Sequence, residues 1–102
     1  MTDGSSLAVF IGGYFHQDWT IEGPNAAAVV DRYAAENLPE DVTAAKDEAE
    51  AMLAAEPDER LLADALVRMG LSYLPHVDGM THREWLQSVV ERLDTHLGRH
   101  SR

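Results

Sequence analysis

The last third of the chain carries the pattern that most restricts its fold. Its large apolar residues recur at intervals of three and four positions: Trp85, Leu86, Val89, Val90, Leu93 and Leu97. This spacing puts them on one side of an α-helix. The preceding Thr81-His82-Arg83-Glu84 is typical of a capping box, in which the threonine hydroxyl and the glutamate carboxylate each bond a free amide. No window alternates convincingly with period two, so a β-sheet is not predicted.

Four earlier segments also have helical spacing. The first runs from Leu7 to Tyr14, the second from Pro24, in its first turn, to about Glu36, and the third from Pro39. The third helix turns Val42, Ala45, Ala49, Met52 and Leu53 inward. The fourth begins at Pro57-Asp58-Glu59, turns Leu61, Leu62, Ala65, Leu66 and Met69 inward, and ends at the capping glycine Gly70.

These segments predict an all-α protein, a single compact domain of about five helices that spans residues 1–102. Residues 1–5 and 99–102 are expected to fray, because chain ends make few packing contacts. The stretch 72–79 is predicted to be a loop.

The covalent chemistry of the chain is limited. It has no cysteine, so it can form neither a disulfide nor a thiolate metal site. It lacks the basic and apolar regions of a signal peptide, and its longest apolar run is far below the ~20 residues that cross a bilayer. A cytoplasmic location is therefore expected.

Net charge narrows the choice of partner. Eighteen acids against eight Lys and Arg give a formal charge of −10. This balance repels phosphate backbones and anionic lipids, so neither nucleic acid nor membrane is predicted as a partner. A basic protein would be attracted.

The acids concentrate in residues 36–59, which contain nine acids and one base, Lys46. Helical geometry puts Glu40 and Asp47 opposite the inward residues of the third helix. One interpretation is a solvated face that aids solubility; the other is a docking surface for a basic partner. The candidate docking acids are Glu36, Glu40, Asp41, Asp47, Glu48 and Glu50.

Catalytic and metal-binding arrangements are weakly represented. His16 and Asp18, like His76 and Asp78, pair an imidazole with a carboxylate, as acid–base chemistry and metal sites do. A metal site needs three or four ligands, and no other His and Asp/Glu cluster has ligand spacing. No serine lies in a nucleophile elbow. We therefore predict no catalytic residue, no metal and no cofactor.

The run Tyr14, Phe15, His16, Gln17, Asp18 and Trp19 has a structural interpretation instead. Its three rings need burial, while His16, Gln17 and Asp18 can bond loop backbone and helix ends. Trp85 falls on the inward side of the last helix, and both tryptophans are expected near the core.

Two blocks of the sequence also resemble those of a known protein family. Residues 12–19, Gly-Gly-Tyr-Phe-His-Gln-Asp-Trp, followed by Glu22-Gly23, and residues 78–86, Asp-Gly-Met-Thr-His-Arg-Glu-Trp-Leu, resemble the signature of the CdiI-type immunity proteins of contact-dependent growth inhibition. The resemblance spans about residues 7–97. It implies a cytoplasmic protein that binds the toxic C-terminal domain of a cognate toxin, and such toxins are often nucleases with basic grooves.

The function predicted from these observations is stoichiometric inhibition of a basic toxin domain by occlusion of its active site. One alternative is an acidic helical module that regulates another cytoplasmic protein. The other is a small enzyme that uses His16 and Asp18. The sequence leaves the oligomeric state open.

Overall fold

Five α-helices form the described part of the chain, residues 5–101 of a computed structural model, with the side chains of 99–101 excepted. The helices are α1 (Ser6–Tyr14), α2 (Ala26–Glu36), α3 (Pro39–Ala55), α4 (Glu59–Arg68) and α5 (His82–Ser101). Short 3-10 helices at Trp19–Ile21 and Pro75–Asp78 lie in two of the connections between the α-helices. The described residues contain no β-strand. The predicted all-α fold of about five helices is confirmed.

Helix α5 is the central element of the packing. It lies against α3 most extensively and also contacts α2 and α4, while α1 packs against α3 and α2. The core takes apolar residues from every helix, including the fully buried Phe10, Val29, Ala45, Leu66 and Leu86. This arrangement turns one side of α3 inward at Val42, Ala45 and Ala49 and leaves the opposite side to solvent.

Several helix ends follow the predicted chemistry. Thr81 Oγ1 accepts from the Glu84 amide at 3.0 Å, and Glu84 Oε1 accepts from the Thr81 amide at 3.0 Å, so the capping box is confirmed. Gly70 follows α4 with φ of +105°. The amides of Gly70 and Leu71 then donate to the carbonyls of Val67 and Leu66, which closes the helix end as a Schellman motif.

Three local predictions were wrong. Pro24 precedes α2, because the Asn25 side chain caps the Ala28 amide at 2.8 Å and so sets the helix start. Leu61 is 49% exposed, since the neighbouring Leu62 occupies the inward position one residue further round the helix. The predicted loop 72–79 contains the 3-10 helix Pro75–Asp78, which Gly79 ends at φ of +77°.

The predicted frayed ends fall partly outside the described residues, namely residues 1–4 and 102. Ser5 is described, and its hydroxyl caps α1 by accepting from the Ala8 amide at 3.2 Å. Helix α5 continues to Ser101.

Helix α1 approaches the end of α4 so closely that two glycines are required. A Cβ on Gly12 would lie 3.1 Å from the Met69 carbonyl oxygen, and one on Gly70 would lie 3.2 Å from the Gly12 Cα. Gly70 also has a backbone conformation that L-residues adopt at a cost. A Cβ on Gly13, by contrast, would meet nothing within 4 Å.

We therefore predict opposite effects for two glycine-to-alanine substitutions. Gly70→Ala should lower the free energy of unfolding by about 1–2 kcal/mol or more, because it combines positive φ with a backbone contact. The matched control, Gly13→Ala in α1, should raise it by up to about 1 kcal/mol through helix propensity. Urea denaturation measures both. A Gly70→Ala protein as stable as the wild type would contradict the close approach.

Candidate protein-binding surface

Seven of the nine acids of residues 36–59 divide into two groups in the structure; of the other two, Asp58 caps α4 by accepting from the Arg60 amide at 2.8 Å, and Glu56 belongs to neither group. Three carboxylates, those of Glu36, Glu48 and Glu59, hold other parts of the molecule in place. A second set on α3 faces solvent. The division matters because the carboxylates of the first group are already engaged by other parts of the protein.

Glu48 reaches from α3 to the start of α1. Its Oε1 accepts hydrogen bonds from the Ser5 hydroxyl at 2.7 Å and from the Leu7 amide at 2.8 Å. Desolvation raises the pKa of this partly buried carboxylate, but the hydrogen bonds from the Leu7 amide, the Ser5 hydroxyl and the Ser6 amide outweigh it. The pKa of Glu48 therefore lies below its ordinary value, and the carboxylate serves α1 as a cap from another helix.

Glu36, the last residue of α2, joins that helix to Tyr14 of the run Tyr14–Trp19, here named the aromatic run. The Tyr14 hydroxyl donates to its Oε1 at 2.6 Å, and Arg32 donates to its Oε2 at 3.0 Å. The hydrogen bond from Tyr14, followed by that from Arg32, lowers the pKa of the Glu36 carboxyl. Its carboxylate is exposed but already has two donors.

Glu59 and Arg83 join three helix ends. The Glu59 carboxylate accepts from the amides of His82 at 2.7 Å and Arg83 at 3.1 Å, which caps the start of α5. The Arg83 guanidinium donates to the carbonyls of Leu53, at 3.1 Å, and Glu56, which satisfies the end of α3. The sequence did not predict the contacts of Glu59 and Arg83, because the residues that each contact joins lie 23 to 30 positions apart along the chain.

The solvent-facing set consists of Glu40, Asp41, Asp47 and Glu50, here named the α3 acidic face. Glu50 and Asp47 share the ammonium group of Lys46, at 3.4 Å and 3.6 Å. Within the described residues, the carboxylates of Glu40 and Asp41 have neither a hydrogen-bond nor an ion-pair partner. The face therefore presents more negative charge than the one lysine beside it balances.

The aromatic run lies where α1 meets the rest of the core. Phe15 is fully buried, and its ring centroid lies 5.7 Å from that of Phe10, 6.1 Å from Trp19, 5.9 Å from Tyr73 and 5.1 Å from Trp85. Trp85 is 2% exposed, whereas Tyr14 and Trp19 are partly buried against the core.

The polar residues of the run form local contacts. His16 accepts from the Asp18 amide through Nδ1 at 3.0 Å, and its Nε2 lies 3.2 Å from Glu22 Oε2. Gln17 and Asp18 are exposed, and the Asp18 side chain does not cap the 3-10 helix that follows it. Among the described residues, no three His, Asp or Glu side chains are grouped as a metal ion would require.

A family model described as the CdiI immunity protein matches residues 5–93. The chain belongs to the CdiI immunity protein family. It is thus a member of a family of toxin-neutralising immunity proteins, as the resemblance of its two sequence blocks implied. Searches of curated proteins and of solved structures give no significant match.

The match to the CdiI family covers the aromatic run and all of α1 to α4. The rings of Phe15, Tyr14 and Trp85 contact other aromatic rings of the core, whereas a structural role for Gln17 and Asp18 stays a prediction. None of the helices in the described residues is long and apolar enough to cross a membrane.

The Glu48 cap predicts an acid-dependent loss of stability. Because its pKa is lowered on folding, Glu48 contributes stability above the unfolded value of about 4.3, and this contribution is lost as pH falls through the folded value. Glu48→Gln should lower the free energy of unfolding by about 1 kcal/mol at neutral pH and by much less near pH 3.

The matched control is Glu91→Gln, which removes an exposed carboxylate on α5. It should change the free energy of unfolding by less than about 0.5 kcal/mol at either pH. Urea denaturation from neutral pH to pH 3 distinguishes the two. An effect of Glu48→Gln that is independent of pH would contradict the charged cap.

Proposed function

We propose that this immunity protein neutralises the C-terminal domain of a cognate toxin in the cytoplasm, by placing the α3 acidic face in a basic groove of that domain. The observation that carries the proposal is the set of four solvent-facing carboxylates on α3: Glu40 and Asp47 lie opposite Val42, Ala45 and Ala49, and Asp41 and Glu50 flank them at either edge. Inhibition is stoichiometric and needs no catalytic group.

Electrostatics supports a basic partner. The whole chain carries a formal charge of −10, so its field attracts cationic surfaces before contact. Charges at an exposed face chiefly raise the association rate and its salt dependence, because water still screens them in the complex. A toxin that acts on nucleic acid has a basic substrate groove, and an acidic protein that occupies it blocks the substrate.

The rigidity of α3 supports the same role. Its inward side is fixed in the core, Arg83 of α5 binds the carbonyls at its end, and Glu48 ties it to α1. A helix that is already fixed loses little backbone conformational freedom on binding. In this proposal Glu48 positions α3 against α1, Glu36 is engaged by Tyr14 and Arg32, and the other four candidate docking acids contact the toxin.

The proposal is tested with the toxin domain encoded directly upstream of the gene. Co-expression should restore growth to cells that produce this domain, and titration calorimetry should give a complex of one protein with one domain. A folded protein that neither binds the domain nor restores growth would contradict the proposal and favour a regulatory module for another partner.

Neutralising the α3 acidic face should slow association. We predict that Glu40→Gln with Asp47→Asn lowers the association rate constant several-fold at low salt and flattens its salt dependence, while stability stays near the wild-type value. Stopped-flow kinetics at several salt concentrations measures both effects.

The matched control, Asp64→Asn with Glu84→Gln, removes the same charge from α4 and from the start of α5. Glutamine can still complete the capping box at position 84. Equal slowing by the two double variants would assign the effect to net charge and contradict the α3 acidic face.

A further inference from the structure

Residues of both 3-10 helices and of the connections beside them line a cleft of about 300 Å³, and no residue of α3 is among them. Trp19, Pro24, Tyr73, Leu74 and Val77 form most of its apolar lining, and Asp78 is the charged residue among those that line it. The Tyr73 hydroxyl donates to the Asp78 carboxylate at 2.5 Å, which fixes that carboxylate at the cleft. We name this feature the Trp19 cleft.

Two of the apolar side chains that line the Trp19 cleft lie largely in water. Val77 is 72% exposed and Leu74 is 52% exposed. Apolar groups grouped around a concave surface are typical of a binding site, because a partner can remove them from water.

Charge around the Trp19 cleft selects among possible occupants. Residues 15–30 and 70–81 contain three acids, Asp18, Glu22 and Asp78, and no Lys or Arg. Two arginines of the neighbouring helices are already paired, Arg32 of α2 with Glu22 and Glu36, and Arg92 of α5 with Asp31, and no arginine or lysine lines the cleft. A second copy of this chain, with a formal charge of −10, would bring like charge to this rim, whereas a basic protein would bring complementary charge.

We propose that the Trp19 cleft is a second contact site for the toxin domain and receives one of its apolar side chains, flanked by a lysine or arginine that pairs with Asp78. This inference rests on the proposed function and extends it to a separate surface. The two surfaces then have different tasks: the α3 acidic face accelerates encounter, and the Trp19 cleft, through desolvated apolar contact, sets the lifetime of the complex.

The test is a matched pair of double variants. Leu74→Asn with Val77→Asn makes the Trp19 cleft polar, and Leu61→Asn with Val67→Asn makes the same changes on α4, where the two side chains are 49% and 56% exposed. All four positions are exposed, and thermal unfolding should show both variants folded. Surface plasmon resonance against the catalytically inactive toxin domain encoded upstream measures the rates.

The cleft variant should dissociate at least tenfold faster than the wild type with an association rate within about twofold, and the α4 variant should match the wild type in both rates. Equal lifetimes for all three proteins would overturn the Trp19 cleft as a contact site and leave the proposed function standing. A change in the sedimentation mass of the free protein, without a change in complex lifetime, would assign the cleft to self-association and also overturn the inference. Failure of the wild-type protein to bind would overturn the proposed function itself.

Discussion

The burial of Phe15 is the contact on which the rest of the structure depends. Its ring touches four other aromatic rings, and its carbonyl accepts from the Ser72 amide at 2.8 Å. It therefore joins the end of α1, the connection after α4 and the start of α5. Removing a phenyl ring from such a position typically costs about 3–5 kcal/mol, a large part of the stability of a domain this small. Packing thus accounts for the buried ring of Phe15 and for the partly buried rings of Tyr14 and Trp19 in the run Tyr14–Trp19.

A second constraint comes from charged side chains on one helix that form hydrogen bonds with the backbone at the end of another helix. Glu48 of α3 caps α1, Glu59 of α4 caps α5, and Arg83 of α5 binds the end of α3. Since these contacts connect all the helices except α2, they orient α3 and so fix the direction in which its exposed acids point. The same acidic segment therefore supplies both internal ties and a charged outer surface, and charge density alone does not distinguish the two uses.

Local chemistry made much of the fold predictable. The capping box at Thr81 and the closing glycine Gly70 depend on residues within a few positions, and both were predicted from the sequence and confirmed. The Glu48 cap joins residues 41 positions apart, and the Trp19 cleft forms only when two 3-10 helices distant in sequence come together. Such contacts follow from the tertiary packing of the helices, which periodicity does not specify. Membership of the CdiI family was predicted from two sequence blocks and is confirmed by the family model that matches residues 5–93. The residues that contact the toxin stay a prediction.

Site-specific cross-linking tests the central claim, that the α3 acidic face meets the toxin, most directly. The chain has no cysteine, so Asp47→Cys on α3 and Asp64→Cys on α4 each provide a single attachment point for a benzophenone label. Irradiation of each labelled protein with the toxin domain should give a cross-linked heterodimer from position 47 and none from position 64. Cross-linking from position 64 alone would contradict the account and place the toxin at α4 instead of the α3 acidic face.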